Sequence, residues 1–340
     1  MRRGLAASVV VGLWSSAAAM ALPTKLRAVL GGSGSAIMGE ASVVAEVLRV
    51  SGRPRGDETP FVVCYLGTAT YDLPRFAEGQ VKGFLAAGCE VVRLDVARAN
   101  PGADAVRAAL ARADAVLVSG GNTLFAIDRW RRCGVEAELR AAMARGAVLC
   151  GGSAGAICWF DGGHSDSMDP DWYCDAMLAG EGAAAAGYEV GPGEKPWAYV
   201  RCPCLGFLPG LMCPHHDRTQ SNGVLRATDF DAMLLRHRGE RGICVDHFAA
   251  LVVEDDAYSV FALEGKPGSV VAGAEGPDFS GDGAPGIWLK AVAADGGAIE
   301  ATVVPAAGRL ADILAPASAI VDDARIAAAR AENPSDVERA

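Results

Sequence analysis

Between residues 26 and 160 the chain alternates short apolar runs with longer stretches of helical spacing, and this alternation restricts it to few architectures. The runs are LRAVLGG (26–32), FVVCYLGT (61–68), EVVRLD (90–95), DAVLVSGG (114–121) and AVLCGG (147–152). Between them lie GEASVVAEVLRV (39–50), a stretch from Leu73 to Ala87, ADAVRAALARA (103–113) and LFAIDRWRRCGVEAELRAAMARG (124–146), which Gly146 stops. SAGAICWF (153–160) starts another helix. An apolar run of five to seven residues is a strand covered on both faces, and strands joined through helices lie parallel. The pattern predicts an α/β fold: a doubly wound, mostly parallel sheet with helices on both faces. Its site should lie beyond the carboxyl ends of the strands. Three of those ends carry Gly31-Gly32, Gly67-Thr68 and Gly120-Gly121, where a backbone can come close to a ligand.

The rest of the chain is less regular. Residues 161–200 are rich in Gly, Asp and aromatics and read as loops over the strand ends. CLGFLPGLMCPHHD (204–217), GICVD (242–246), ALVVEDD (250–256) and AYSVFALEG (257–265) read as further strands and turns. The expected organisation is a targeting segment at 1–24, an α/β domain at 25–265, a strand-and-turn extension at 266–320 and a charged helical tail at 321–340. The leader has Arg2 and Arg3, an uncharged apolar stretch from Leu5 to Leu22, and a small-x-small Ala19-Met20-Ala21 before Pro23. That is the pattern of a secretory or organelle-targeting signal, the alternative being an alanine-rich helical extension on a cytoplasmic protein. The stretch is marginal for a bilayer and no second candidate follows, so no integral membrane span is expected.

Composition removes some functions. With 31 Lys plus Arg against 41 Asp plus Glu the net charge is −10, so no cationic surplus exists to bind nucleic acid. Hydrophobic residues are 51% of the chain, enough for a large core and too many for wholesale disorder. Cys64, Cys150, Cys158 and Cys244 sit inside apolar runs and read as buried thiols. Cys202, Cys204 and Cys213 cluster, but without the C-x-x-C pairing of a zinc site, so neither metal nor other cofactor is expected.

The chemistry concentrates at Gly151-Gly152-Ser153-Ala154-Gly155, a G-x-S-x-G between a buried strand and a helix. A serine on such a turn presents its hydroxyl as a nucleophile, and small neighbours let strand and helix backbones meet. The bland alternative is a serine N-cap. Ser119-Gly120-Gly121-Asn122-Thr123 closes the preceding strand. The N–H groups of Gly120 and Gly121, with that of Ala154, are candidate oxyanion donors, and Asn122 and Thr123 are candidate substrate contacts. Of five histidines, His215 follows Pro214 at a strand end, where a base belongs. His164 is a candidate substrate contact, and His237 lies in the charged RHRGER.

SGGNT, GGSAGAICWF, LGFLPGLMCPHHD and GICVDHFAALVV, in that order, resemble the serine peptidase family of dipeptidase E (aspartyl dipeptidase) and cyanophycinase. The resemblance spans about residues 25–265 and is nearest to the broad bacterial-type branch, where SAGAICWF is followed by GHSDS. It implies a sheet like that of class I glutamine amidotransferases, a small peptide substrate, and metal-free cleavage by Ser, His and an acid. Carried over by position, it implies Ser153 as nucleophile and His215, not His216, as base. The family's acid is usually a glutamate in a motif like D-E-x-T-A. This chain reads Asp246-His247-Phe248-Ala249-Ala250 there, so the glutamate is replaced by His247. Asp246 is the first candidate for the acid, with Asp161, Asp166 and Asp169 as rivals. Arg201 and Arg218 are candidate cations for an acidic substrate. Other acyl transfer, by an esterase or isopeptidase, is the alternative on the same site. A pseudoenzyme or binding module that lost the acid is the alternative outside enzymes. A homo-oligomer is left open.

Overall fold

Each apolar run before residue 153 becomes a strand: β1 (Arg27–Gly31), β2 (Val62–Leu66), β3 (Glu90–Arg93), β4 (Ala115–Val118) and β5 (Val148–Gly152). The structure is a computed structural model and describes residues 25–54, 59–179 and 196–335. The expected leader lies outside the described residues, as do 336–340 of the charged tail. The five strands pair in parallel in the order β1-β5-β4-β2-β3. Between them run α1 (Ala41–Val50), α2 (Pro74–Ala86), α3 (Ala103–Ala111), α4 (Thr123–Arg132) and α5 (Val135–Arg145). The stretch read as one helix over 124–146 is two, because Gly134 turns left-handed at φ 70°.

Alternate strand residues face opposite helix layers. Val29, Val63, Leu117 and Cys150 pack with Val43, Val47 and Phe84 of α1 and α2. Leu30, Cys64, Val116 and Leu149 pack with Leu110, Trp130 and Leu139 of α3 to α5. Covering both faces is what made the inner strands apolar, the edge strand β3 being only partly buried, and it makes the fold a doubly wound α/β one.

After Ser153 the chain departs from the expected loops. The helix begun there, α6 (Ala154–Ile157), is one turn long. The remaining strands are β6 (Phe160–Ser165), β7 (Val200–Pro203), β8 (Leu208–Cys213), β9 (Gly242–Val245), β10 (Ala249–Glu254), β11 (Ala257–Ala262), β12 (Ile287–Val292), β13 (Ile299–Val303) and β14 (Ala307–Arg309). β10, β11 and β14 extend the first sheet antiparallel from β1. The others form a second sheet, ordered β13-β12-β9-β8-β6-β7. β6 falls where loops were expected. Its glycines serve tight packing: a Cβ on Gly163 would lie 2.4 Å from Ile157 Cγ2 and 2.7 Å from the Met212 carbonyl. The 266–320 segment supplies β14 to the edge of the first sheet and β12 and β13 to the second, where β12 pairs with β9 and β13 forms the edge. All ten cysteines are free thiols and most are buried. Among the described residues no helix is long and apolar enough to cross a membrane.

One carboxylate fixes the turns beside Gly120 and Gly121. Tyr71 and Asp72 follow β2 at φ 54° and 56°. Oδ2 of Asp72 accepts from the N–H groups of Val96 (2.7 Å) and Ala97 (2.6 Å). Oδ1 is buried without a partner. Burial, assisted by nearby Asp95, pushes this carboxyl up to about 6. Its native form therefore binds a proton more tightly than the unfolded chain does. The stabilisation is fully present below about pH 3.8 and is lost as pH rises through about 6. Asp72→Asn keeps an oxygen for both N–H groups, does not titrate and suits a left-handed residue. We expect it to be more stable than the parent at pH 8, by on the order of 2 kcal/mol. The lead should vanish by pH 4. Parallel melting temperatures of parent and variant between pH 4 and 8 would contradict this account.

Candidate active site

The turn that carries Ser153, the candidate nucleophile, is forced by its glycines. A Cβ on Gly151 would lie 2.3 Å from the Gly155 carbonyl oxygen, one on Gly152 1.7 Å from that of Ser33, and one on Gly155 2.2 Å from that of Val118. Between them Ser153 takes φ 56° and ψ −123°, a conformation that L residues rarely adopt and that functional sites often store. Its N–H donates to the Gly31 carbonyl at the end of β1 (3.2 Å). Its hydroxyl makes no capping bond to α6, which leaves the N-cap alternative without support. No hydrogen bond among the described residues uses the N–H of Gly120, Gly121 or Ala154. A Cβ on Gly120 would sit 3.5 Å from Ser153 Cβ, so the Gly120 backbone borders the serine directly.

The histidine turn hangs from the same strand. β8 leads through Pro214 to His215, which has φ 48° and donates its N–H to the Gly32 carbonyl (3.1 Å). Gly32 must be glycine, because a Cβ would lie 1.9 Å from the Asp246 carbonyl oxygen. The two adjacent histidines then diverge. His215 is half-buried, and its Nδ1 is 2.7 Å from Nδ1 of His247. His216 is fully buried, with Nδ1 3.3 Å from Asp246 Oδ1 and its ring edge-on to Phe279. Burial, with the charges of Arg226, His247 and Arg218, holds His215 well below the ordinary histidine range. His247 is lowered to about 4 by burial and Arg218. Both shifts favour the neutral rings, and at 2.7 Å one Nδ1 donates while the other accepts.

The expected acid is not on His215. Asp246 is fully buried and accepts from Ser269 N–H (2.9 Å), Ser269 hydroxyl (2.8 Å) and Gly286 N–H (3.0 Å). Neighbouring residues of an extended chain point to opposite sides, so Asp246 faces inward while His247 faces His215. The rivals are also engaged elsewhere. Asp161 accepts from Gly210 N–H (3.1 Å). Asp166 faces Gln220 and Arg226, and Asp169 accepts from Ser221 (2.7 Å) and Asp171 N–H (3.0 Å).

The three expected substrate contacts are structural supports. Asn122 is buried, caps α4 through Phe125 N–H (3.0 Å) and donates to Tyr71 Oη (3.2 Å) and the Trp172 carbonyl (3.3 Å). Thr123 is buried and accepts from Ser165 (3.2 Å). His164 is fully buried, 2.9 Å from Asp229 and stacked on Tyr199. Each was singled out for lying next to a motif, and adjacency in sequence does not give direction. Arg201 is likewise buried in a two-pronged pair with Glu240 (2.6 Å each). Arg218 is the expected cation that borders the histidine pair, with Cζ 5.1 Å above the Phe248 ring. Two supports were missed: Asp217, whose Oδ1 accepts from His247 N–H (2.7 Å), and the carbonyls of Gly31 and Gly32. The Gly31-Gly32 pair was visible as a strand end, but not as the anchor of both turns.

The model of peptidase family S51 matches residues 55–261 of the chain. The chain is 33% identical over 252 residues to a Trypanosoma brucei brucei protein named G2/mitotic-specific cyclin-1, covering 68% of this chain and 73% of that one. That name belongs to that protein. The chain is 30% identical over 155 residues to an uncharacterized peptidase, YgaJ, of Bacillus subtilis, covering 46% of this chain and 54% of the relative. A solved peptidase from an acI-B1 Actinobacterium covers 71% of this chain and 90% of its own, at 15% identity and a TM-score of 0.49.

The border between Gly120 and Ser153 can be tested by substitution. Gly120→Ala places its methyl 3.4 Å from the Gly152 carbonyl oxygen and 3.5 Å from Ser153 Cβ, ordinary contacts that the fold accommodates. The melting temperature should hardly move. Labelling of Ser153 by a fluorophosphonate should slow by on the order of tenfold or more, because the methyl crowds the approach. Labelling at the parental rate would mean that reagents reach Ser153 from another side.

Proposed function

The chain belongs to peptidase family S51, and from that premise we propose that it is a serine-type hydrolase of short peptides with Ser153 as nucleophile and His215 as base. The observation that carries this reading is the pair of bonds from Ser153 N–H to Gly31 and from His215 N–H to Gly32. Two residues far apart in sequence, both with positive φ, are suspended from consecutive carbonyls of one strand end. Strained residues brought to one anchor from separate sheets are the kind of feature that functional sites collect.

In the proposed reaction Ser153 Oγ attacks the peptide carbonyl carbon as its proton passes to Nε2 of His215. The carbonyl oxygen becomes an oxyanion facing the unused N–H groups of Gly120, Gly121 and Ala154. Collapse breaks the C–N bond, and His215 returns the proton to the departing amine. Water then adds to the acyl-enzyme with His215 again as base, releasing the acid and the free serine. The low proton affinity of His215 keeps it neutral, and so able to accept, down into mildly acidic solution.

Ser153→Ala should abolish hydrolysis of a dipeptide library and fluorophosphonate labelling, with an unchanged melting temperature. His215→Ala should lower kcat by on the order of 10³-fold or more. His216→Ala should mainly lower the melting temperature, since it empties a buried site and removes a partner of Asp246. An active Ser153→Ala, or a larger kcat loss in His216→Ala than in His215→Ala, would end this assignment. Hydrolysis of esters but not peptides would move the protein to another acyl substrate. Labelling without turnover of any substrate would make it a binding module on an enzyme scaffold.

A further inference from the structure

We propose that His247 is the positioning residue for His215, an imidazole acting where a Ser-His-acid site has a carboxylate. The proposal rests on the reading of Ser153 and His215 given above. The two Nδ1 atoms are 2.7 Å apart, a distance that requires one of them to donate and the other to accept. His247 is itself held. Its N–H donates to Asp217 Oδ1 (2.7 Å) and its ring stands edge-on to Phe248, with centroids 4.5 Å apart. Phe248 is in turn covered by Arg218 (5.1 Å) and Lys266 (5.4 Å).

The position of the proton decides whether the pair works. With the proton on His215 Nδ1, the lone pair of His247 Nδ1 accepts it and His215 Nε2 is bare and basic. When His215 takes the serine proton, the imidazolium keeps its Nδ1–H on His247, and no proton leaves the pair. With the proton on His247 Nδ1 instead, neutral His215 carries its proton on Nε2 and cannot act as a base. A carboxylate at this position could only accept, so it would eliminate the second arrangement. It would also add a negative charge that stabilises the imidazolium. The charged groups facing the pair are Arg218 and Arg226, which favour neutral rings, and Asp217, whose carboxylate accepts from the backbone N–H of His247; Asp246 points away from the pair. Replacing His247 by an acid should therefore raise the proton affinity of His215 and populate only the working arrangement.

The test compares parent, His247→Glu, His247→Gln and His247→Phe on one dipeptide substrate, with pH profiles of kcat/KM and an NMR titration of the His215 ring. His247→Phe cannot accept the proton and should lose on the order of 10²-fold or more in kcat with KM nearly constant. His247→Gln retains an accepting oxygen and should keep more activity than His247→Phe. His247→Glu should stay active while its acid limb and the His215 titration both move to higher pH by one unit or more. Parental kcat in His247→Phe, equal losses in the Phe and Gln variants, or an unmoved acid limb in a folded His247→Glu would each overturn the proposal. Ser153→Ala is the control: if it is active, the underlying reading fails. If it is inactive and the acid limb of His247→Glu does not move, only the role of His247 fails.

Discussion

Two hydrogen bonds at the end of β1 join everything else in this protein. The carbonyls of Gly31 and Gly32 accept the N–H groups of Ser153 and His215. Ser153 follows β5 in the first sheet, and His215 follows β8 in the second. The Gly32 bond therefore ties one sheet to the other at the candidate site. β1 can serve as this anchor because it is paired on both sides, with β5 in parallel and β10 antiparallel. A strand so held cannot shift without breaking both ladders. The glycines at its end allow the Asp246 backbone and Ile37 to close over it, with room for no side chain.

The anchor also explains how two unfavourable backbone conformations persist. Non-glycine residues at positive φ cost about 1–3 kcal/mol each, and Ser153 and His215 are both of this kind. They are retained because their neighbours leave no alternative path. Gly151, Gly152 and Gly155 bring three backbones into contact around Ser153. Around His215 the constraint is electrostatic as well as steric. One histidine turns toward His247 and the next is drawn into the buried Asp246, Ser269 and Gly286 network.

The first half of the fold was legible because its strands are covered on both faces, so hydrophobicity alone marks them. The second half was not. β6 contains Gly162-Gly163 and His164, a composition that reads as loop until Ile157, Met212 and Arg201 are seen pressing on the glycines. Around the candidate site, the sharp turn at Ser153, the strand-end position of His215 and the Gly120-Gly121 turn were legible as backbone shapes, because a motif fixes backbone shape as well as residue type. Asn122, Thr123 and His164 neighbour the motifs, but their side chains are buried in internal hydrogen bonds, a direction that adjacency in sequence does not give. The Asp246-His247 pair held the most information, since the departure from a glutamate was visible. Which of the two would face His215 depends on strand facing, and that is set by Ser269 and Gly286, far away in sequence.

The strands contributed by the 266–320 segment bear on the order of assembly. Asp246 faces inward only when Ser269 and Gly286 are present to receive it, and β9 is flanked by β12 only once residues 287–292 exist. A chain leaving the ribosome can complete the parallel strands long before that. Until residue 286 arrives, the buried carboxylate has lost most of its donors, and burying it uncompensated is costly. The loop carrying Asp246 and His247 therefore cannot adopt its final facing during early synthesis. The Ser153 turn thus depends on strands made early in synthesis, whereas the facing of His215 and His247 depends on residues made after the segment that carries them.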